Sequence, residues 1–374
     1  MITRIASLVV KEFIHLRRDW WLPAFMLIGG LMELLLIGWA TSRPITNLPL
    51  MVWDQDMSAA SRTAVTALEN TGTFQLVEPA TNLQTITQAL DRGEINAAVI
   101  IPPDYSTQLA DVNGTAVLPV MLNGAESIPA RAALQAIEGV TNELGTAVAV
   151  QRLGLPADSL TGFAPSLRVW FNESLSEALY TVPAELGLML EFVVLLFAAL
   201  TFTRERELGT LEQLLVMPFS SLEIIIGKAV PVVIIGFVSF NMMLAMVHLA
   251  FAVPLRGSLL LLELLAAGYL LVELSKGMVI SVIARTQHQA FLLVLMVGMI
   301  DFMFTGYAAP VESMPQVLQL LANVIPAHHW LDIFRGILLK GAGLAVLWPS
   351  VVALAILGVV IVPVSLRFVR RALD

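Results

Sequence analysis

The sequence predicts a membrane all-α bundle of six transmembrane helices plus an inserted α+β extracytoplasmic domain, and three observations predict it. The chain of 374 residues is 57% hydrophobic and only 13% charged, with a mean hydropathy of +0.81, which is too apolar for a soluble protein of several domains. Its apolar residues gather in runs of about 20, the length a helix needs to cross the hydrocarbon core. The acidic excess is local: Arg43 to Glu173 holds 6 basic and 13 acidic residues, a net of −7 out of −8 for the whole chain.

Residues 1–19 are expected to form a cytoplasmic amphipathic interfacial helix, because Ile5, Leu8, Val9, Phe13 and Leu16 fall near one helical face, with Arg4, Lys11, Glu12 and Arg18 away from it. The other reading is a plain cytoplasmic extension of the first span. That span is expected over residues 20–40, opened by the Trp20 and Trp21 interface pair and read as an uncleaved anchor rather than a secretory leader.

Residues 41–176 have ordinary soluble composition and are expected to be the extracytoplasmic domain. Alternating or short apolar runs predict strands over 48–54, 97–101 and 116–122, and polar periodic stretches predict helices over 59–69, 83–91 and 128–153. Residues 177–374 are expected to supply five more spans, over 183–202, 222–253, 259–283, 290–307 and 344–366. Between the last two, residues 309–340 are broken by Pro310, Pro315 and Pro326 and read as an outer re-entrant segment of two short half-inserted helices.

Basic residues at Arg4, Lys11, Arg17, Arg18, Arg204, Arg206, Lys228, Arg285, Arg367, Arg370 and Arg371 alternate for one side of the membrane. This predicts cytoplasmic termini and a domain outside the cytoplasm.

Residues 203–218, TRERELGTLEQLLVMP, predict a short amphipathic cytoplasmic helix ended by Pro218, suited to docking a protein; a helix lying on lipid headgroups is the other reading. Charged residues inside spans are costly and point to function or an interface. Among Glu33, Glu185, Glu191, Glu263, Glu273, Lys276 and Asp301, the spacing pairs Glu273 with Lys276. Glu33, Glu191 and Asp301 are left without sequence-local partners and become candidates for a polar pathway or a subunit interface. There is no phosphate-binding loop, HExxH or nucleophile elbow, and no cysteine for a thiol nucleophile. His328 and His329 are adjacent, point apart on a helix and lack a third ligand nearby, so no metal site is expected. Nothing in the charge pattern suggests nucleic acid.

The chain resembles the ATP-binding-cassette type-2 permeases, bacterial inner-membrane exporters with a large periplasmic domain between the first two spans. The resemblance is carried along the whole chain by KEFIHLRRD at Lys11, VWDQDMSAASR at Val52, GEINAAVIIPPDYS at Gly93, MLNGAES at Met121, RERELGTLEQLLVMP at Arg204, GKAVP at Gly227, ARTQHQA at Ala284, AAPVESMP at Ala308 and IPAHHWLDIFRGILLKG at Ile325. One departure is FMFTGY before AAPVESMP, with Thr305 where the family suggests a small Ser.

The resemblance implies a permease without a catalytic site or bound cofactor, paired with a second permease subunit and driven by separate cytoplasmic ATPase subunits that hold ATP and Mg. It implies ATPase-coupling roles for Glu205, Glu207, Gly209, Thr210, Glu212 and Gln213, and an outer gate at Pro310, Glu312, Pro315 and Pro326. A periplasmic adaptor and membrane lipid are further partners it suggests. The implied cargo is drug-like or lipid-like. A membrane receptor or scaffold that senses a ligand without transport is the competing reading, and an intramembrane hydrolase lacks an evident nucleophile and base.

Overall fold

The structure is a computed structural model that describes residues 2–41, 45–111, 114–153, 171 and 177–373. The expected end of the domain at 176 lies outside them. In chain order the helices and strands are α1 (Ile2–Arg18), α2 (Trp21–Thr41), β1 (Leu48–Asp54), α3 (Ala59–Asn70), β2 (Phe74–Leu76), α4 (Leu83–Asp91), β3 (Ala97–Ile101), α5 (Tyr105–Ala110), β4 (Val120–Leu122), α6 (Ser127–Leu153), α7 (Glu177–Glu207), α8 (Leu211–Val216), α9 (Ser221–Phe251), α10 (Leu259–Ile283), α11 (Gln287–Phe304), α12 (Gln316–Ala322), α13 (Pro326–Lys340) and α14 (Leu344–Leu373). They form two compact units, Arg43–Arg168 and the residues on either side of it.

In the Arg43–Arg168 unit the strand order is β2-β1-β3-β4. β1 runs parallel to β2 and to β3, with Leu50 opposite Ala97, and β4 is antiparallel to β3. Period-2 alternation sends Leu48, Leu50 and Val52 to one face, where they pack with Ala64 and Leu68 of α3 and Ala133 and Ile137 of α6. Met51 and Ala98 point the other way, onto Ile86 and Ala89 of α4. Helices therefore cover both faces of a mainly parallel sheet, which is α/β construction and not the α+β arrangement expected. The difference comes from β2: three residues are too few to show an alternation, and without that strand the β1-α3-β2 crossover is invisible. β4 is also shorter than 116–122. Pro119 lacks an N–H, so it adds only its carbonyl, which accepts from Ile100 N at 2.9 Å.

The second unit is built around α7. Among the described residues four helices are long and apolar enough to cross a membrane: Ala178–Glu207, Ser221–Phe251, Gln287–Phe304 and Leu344–Leu373. α2 and α10 are also single helices, of 21 and 25 residues. The most apolar part of α7 is 78% buried, against 11% for α14. α7 is apolar all round because other helices surround it; α14 is apolar because its outer face meets a non-aqueous medium. Two glycines permit close approaches between helices. A Cβ on Gly277 of α10 would lie 2.5 Å from Ala198 Cβ and 2.6 Å from Leu195 O of α7, and one on Gly227 of α9 would lie 2.6 Å from Leu8 Cβ of α1.

Helix starts are satisfied locally. Ser220 and Glu223 form a reciprocal capping box at α9, and Ser258 and Thr286 cap α10 and α11. Residues 203–218 are not one helix. α7 continues through Glu207, the chain turns at Gly209 in the left-handed region (φ +69°), and only Leu211–Val216 form α8. The turn needs a residue that takes positive φ, and the glycine inside the expected helix is that break.

Candidate functional site

At the end of α7 where the chain turns into α8, a chain of four charges ties three helices together. Lys11 of α1 donates to Glu205 of α7 at 2.8 Å; Lys228 of α9 donates to the same Glu205 oxygen at 3.1 Å and to Glu12 of α1 at 2.8 Å. The side chains of Lys228 and Glu205 are 2% and 8% exposed. Two cations and two anions balance, so the desolvation of each is met by an opposite partner. Lys228 also donates to the Thr201 carbonyl at 3.2 Å, and the Thr210 hydroxyl closes onto the Glu205 carboxylate. Nearby, Arg204 and Asp19 pair at 2.6 Å.

The structure thus separates the six residues expected to couple to an ATPase. Glu205 is buried and committed to Lys11 and Lys228, and Thr210 is turned onto it. Glu207, Gly209, Glu212 and Gln213 are exposed. The Glu207 carboxylate accepts from Gln287 N at 3.0 Å, bracing the turn against the start of α11. α8 buries Leu214 and exposes Leu215 and Val216, which is 87% exposed, with Met217 beside them. An apolar and acidic edge therefore stands free on this end of the unit.

A cavity of about 520 Å³ lies between α2, α7 and α11. Met26, Gly29 and Gly30 line it from α2, Met189, Phe192, Val193, Leu196 and Leu200 from α7, and Gln287, His288 and Phe291 from α11. Glu33 is its carboxylate. Of the three intramembrane candidates, Glu33 alone faces this cavity.

Glu191 and Asp301 are buried elsewhere and share one cation. Lys276 of α10 lies 3.2 Å from Glu191 of α7, 2.8 Å from Glu273 of α10 and 2.5 Å from Asp301 of α11. One carboxylate oxygen from each of these three acids lies within 4.8 Å of the other two. Tyr269 donates to Glu191 at 3.4 Å and stacks on Trp330 of α13, centroids 4.9 Å apart. The Glu273 and Lys276 pair expected from spacing exists, but as half of a four-residue cluster.

In the segment after α11, Pro310 and Pro315 are exposed and start a single 3-10 turn (Val311–Ser313) and α12, respectively. Glu312 is exposed, and its backbone carbonyl accepts from Gln319 at 3.2 Å. Pro326 is buried at the first position of α13, where a missing N–H costs nothing. His329 bonds the Asn323 carbonyl at 2.9 Å and His328 approaches that of Thr305 at 3.4 Å.

Lys11, Glu12 and Lys228 received no site role from the sequence. The signal available was in α9, a lysine seven residues into a mainly apolar helix, which requires an acidic partner.

The family model described as ABC-2 family transporter protein matches residues 20–367. The chain is 30% identical over 350 residues to the "Probable multidrug ABC transporter permease YbhR" of Escherichia coli strain K12, covering 94% of each chain. It is 26% identical over 377 residues to the "Inner membrane transport permease YhhJ" of the same organism, covering 99% of this chain and 97% of that one. With "ABC transporter G family member 20" of Dictyostelium discoideum it shares 23% identity over 347 residues, which are 89% of this chain and 46% of that protein. A match that spans the cavity and the buried cluster, together with Glu205 and Lys228 of the charge network, shows that this chain belongs to the ABC-2 family of transporter permeases.

Proposed function

We propose that this chain is the permease subunit of an exporter in the bacterial inner membrane, moving drug-like or lipid-like amphiphiles outward with energy from ATP hydrolysed, with Mg, on a separate ATPase subunit. In this reading α2, α7, α9, α10, α11 and α14 are the six spans, both termini are cytoplasmic and the Arg43–Arg168 unit lies outside the cytoplasm. The observation that carries it is the placement of the cavity. Its lining includes Gln287, whose N–H holds Glu207 just before the α8 turn, so a force applied to α8 reaches the helices that line the cavity.

Each part of the arrangement has a task under this reading. α8, with exposed Glu212, Gln213, Leu215 and Val216, is the ATPase-docking edge, and its carboxylate meets basic groups that set register. Glu207 links α8 to α11 through Gln287, and Glu205 locks α1 and α9 to α7, so the three helices move together. Glu33 gives the cavity a negative charge suited to cationic amphiphiles, while Met189, Phe192 and Phe291 offer adaptable apolar contact. The stretch from Pro310 to Pro326 forms the outer gate. A second permease subunit completes the pathway, lipid surrounds it, and a periplasmic adaptor receives cargo from the outer domain. Names of relatives that contain "multidrug" and "Inner membrane transport permease" support drug-like cargo and the inner-membrane location.

The test is co-purification from the native host followed by reconstitution. An ATPase subunit that co-elutes, and whose hydrolysis rises several-fold with a cationic amphiphile in wild-type vesicles but not with Glu212→Lys, supports the reading. A permease that never associates with an ATPase overturns it.

A further inference from the structure

We propose that the Glu191, Glu273, Asp301 and Lys276 cluster is a proton-binding site, holding at neutral pH at least one proton shared among its three carboxyl groups. The inference rests on the cluster's own charge and burial and does not depend on the transport reading.

With every group ionised the cluster would carry three negative charges and one positive. Glu273 is 0% exposed, Glu191 2% and Asp301 5%, so solvent does not screen the excess. Lys276 donates to Glu191 at 3.2 Å and to Asp301 at 2.5 Å, and its ammonium lies 2.8 Å from Glu273 without a hydrogen bond to it. Tyr269 reaches only the second oxygen of Glu191, at 3.4 Å. Both carboxylate oxygens of Glu273 are buried and have no hydrogen-bond donor. An ionised carboxylate oxygen without a donor in a closed site is the costliest arrangement available to it. A proton on that carboxyl removes the charge, and an oxygen of each of the other two acids lies within 4.8 Å, so a small side-chain shift brings the hydroxyl an acceptor. Carboxyls that crowd one site share protons for this reason.

The surrounding elements offer little other compensation. α13 presents Trp330 to Tyr269, and α14 presents Ser365, which donates to the Ser275 carbonyl at 2.7 Å. The ionisable groups of α9 are engaged elsewhere: Glu223 and Lys228 with Ser220, Arg4, Glu12 and Glu205, and His248 with the Val253 carbonyl. A metal ion fits less well than a proton, because the Lys276 ammonium already stands between the three acids and would repel a second cation at that range. The acids come from α7, α10 and α11, so any relative movement of these helices changes how tightly the proton is held.

The experiment is infrared spectroscopy of the full-length protein in lipid nanodiscs at neutral pH, with hydrogen–deuterium exchange to mark carboxylic-acid carbonyl bands. The expected result is a protonated-carboxyl band that loses about one carboxyl's intensity in Glu273→Gln or Asp301→Asn. Lys276→Met should increase the band, since removing the ammonium demands a further proton. If Lys276→Met does not fold, the isosteric amides still decide. A band unchanged by Glu191→Gln, Glu273→Gln and Asp301→Asn alike overturns the proposal. So does one divalent ion per chain, retained through metal-free buffer and lost in the same variants.

Discussion

Lys228, seven residues into α9, places its ammonium 3.1 Å from the carboxylate of Glu205, near the end of α7, with both side chains almost fully buried. The contact couples the helix that leads into α8 to the helix that follows it. Glu12 and Lys11 of α1 extend it to a balanced set of four charges.

Lys228→Met leaves Glu205 and Glu12 to share Lys11 in a closed site. Breaking a buried pair in this way costs about 3–5 kcal/mol. Thermal melting should show the loss, and proteolysis should release α1 first. The double variant Lys228→Met with Glu205→Gln, which leaves Glu12 facing Lys11, should be less destabilised than Lys228→Met alone. Strict additivity of the two changes would contradict the coupling.

On α8 the substitutions should separate docking from folding. Glu212→Lys and Val216→Asp alter exposed groups, so melting should stay within about 0.5 kcal/mol of the parent. ATPase association, measured by titration, should weaken at least several-fold. An equal loss of stability would mean that α8 is a packed element and not a free edge.

Helix approach predicts a contrast between two glycines of one helix. Gly277→Val cannot be accommodated against Ala198 and Leu195 O, and it should cost about 1–3 kcal/mol or more through displacement of α10 from α7. Gly268→Ala, with nothing within 4 Å of the added carbon, should be neutral or raise stability by up to about 1 kcal/mol through helix propensity. Detergent melts of the two variants give the comparison directly.

The α/β unit has its own pH signature. The Ser58 and Ser106 hydroxyls beside Asp56 hold its carboxyl below the usual carboxylate range, outweighing the opposing effect of burial. A depressed pKa in the folded state means that the unfolded chain binds the proton more readily. The contribution is therefore fully present above the unfolded value near 3.8 and is lost as pH falls through the lower folded value. Amide exchange of β1 should accelerate over that acidic window in the wild type. In Asp56→Asn the acceleration should be smaller.

What the sequence reveals follows the range of the interactions concerned. The apolar runs of α9, α10 and α14 and the strand Leu48–Asp54 show in a local window because period and length are local properties. Phe74–Leu76 does not, and with it goes the parallel order of the sheet. The site divides in the same way. Glu273 and Lys276, three residues apart, pair visibly on a helix. Glu191 is 85 residues from Lys276 and Asp301 is 25 away, so only the packing of α7, α10 and α11 discloses that one lysine serves three acids. Glu205 illustrates the opposite error: within RERE it reads as another exposed acid, and only α1 and α9 explain why it points inward.

The central claim is that the cavity between α2, α7 and α11 takes cargo and that α8 passes work to it. It is tested most directly by measuring uptake of a cationic amphiphile into inside-out vesicles that contain the permease and its ATPase, for the parent and for Glu33→Gln. The account predicts ATP-dependent uptake that falls several-fold for the cation in Glu33→Gln, with uptake of a neutral analogue of the same shape retained. Equal uptake of both compounds by parent and variant, or uptake indifferent to ATP, would contradict it.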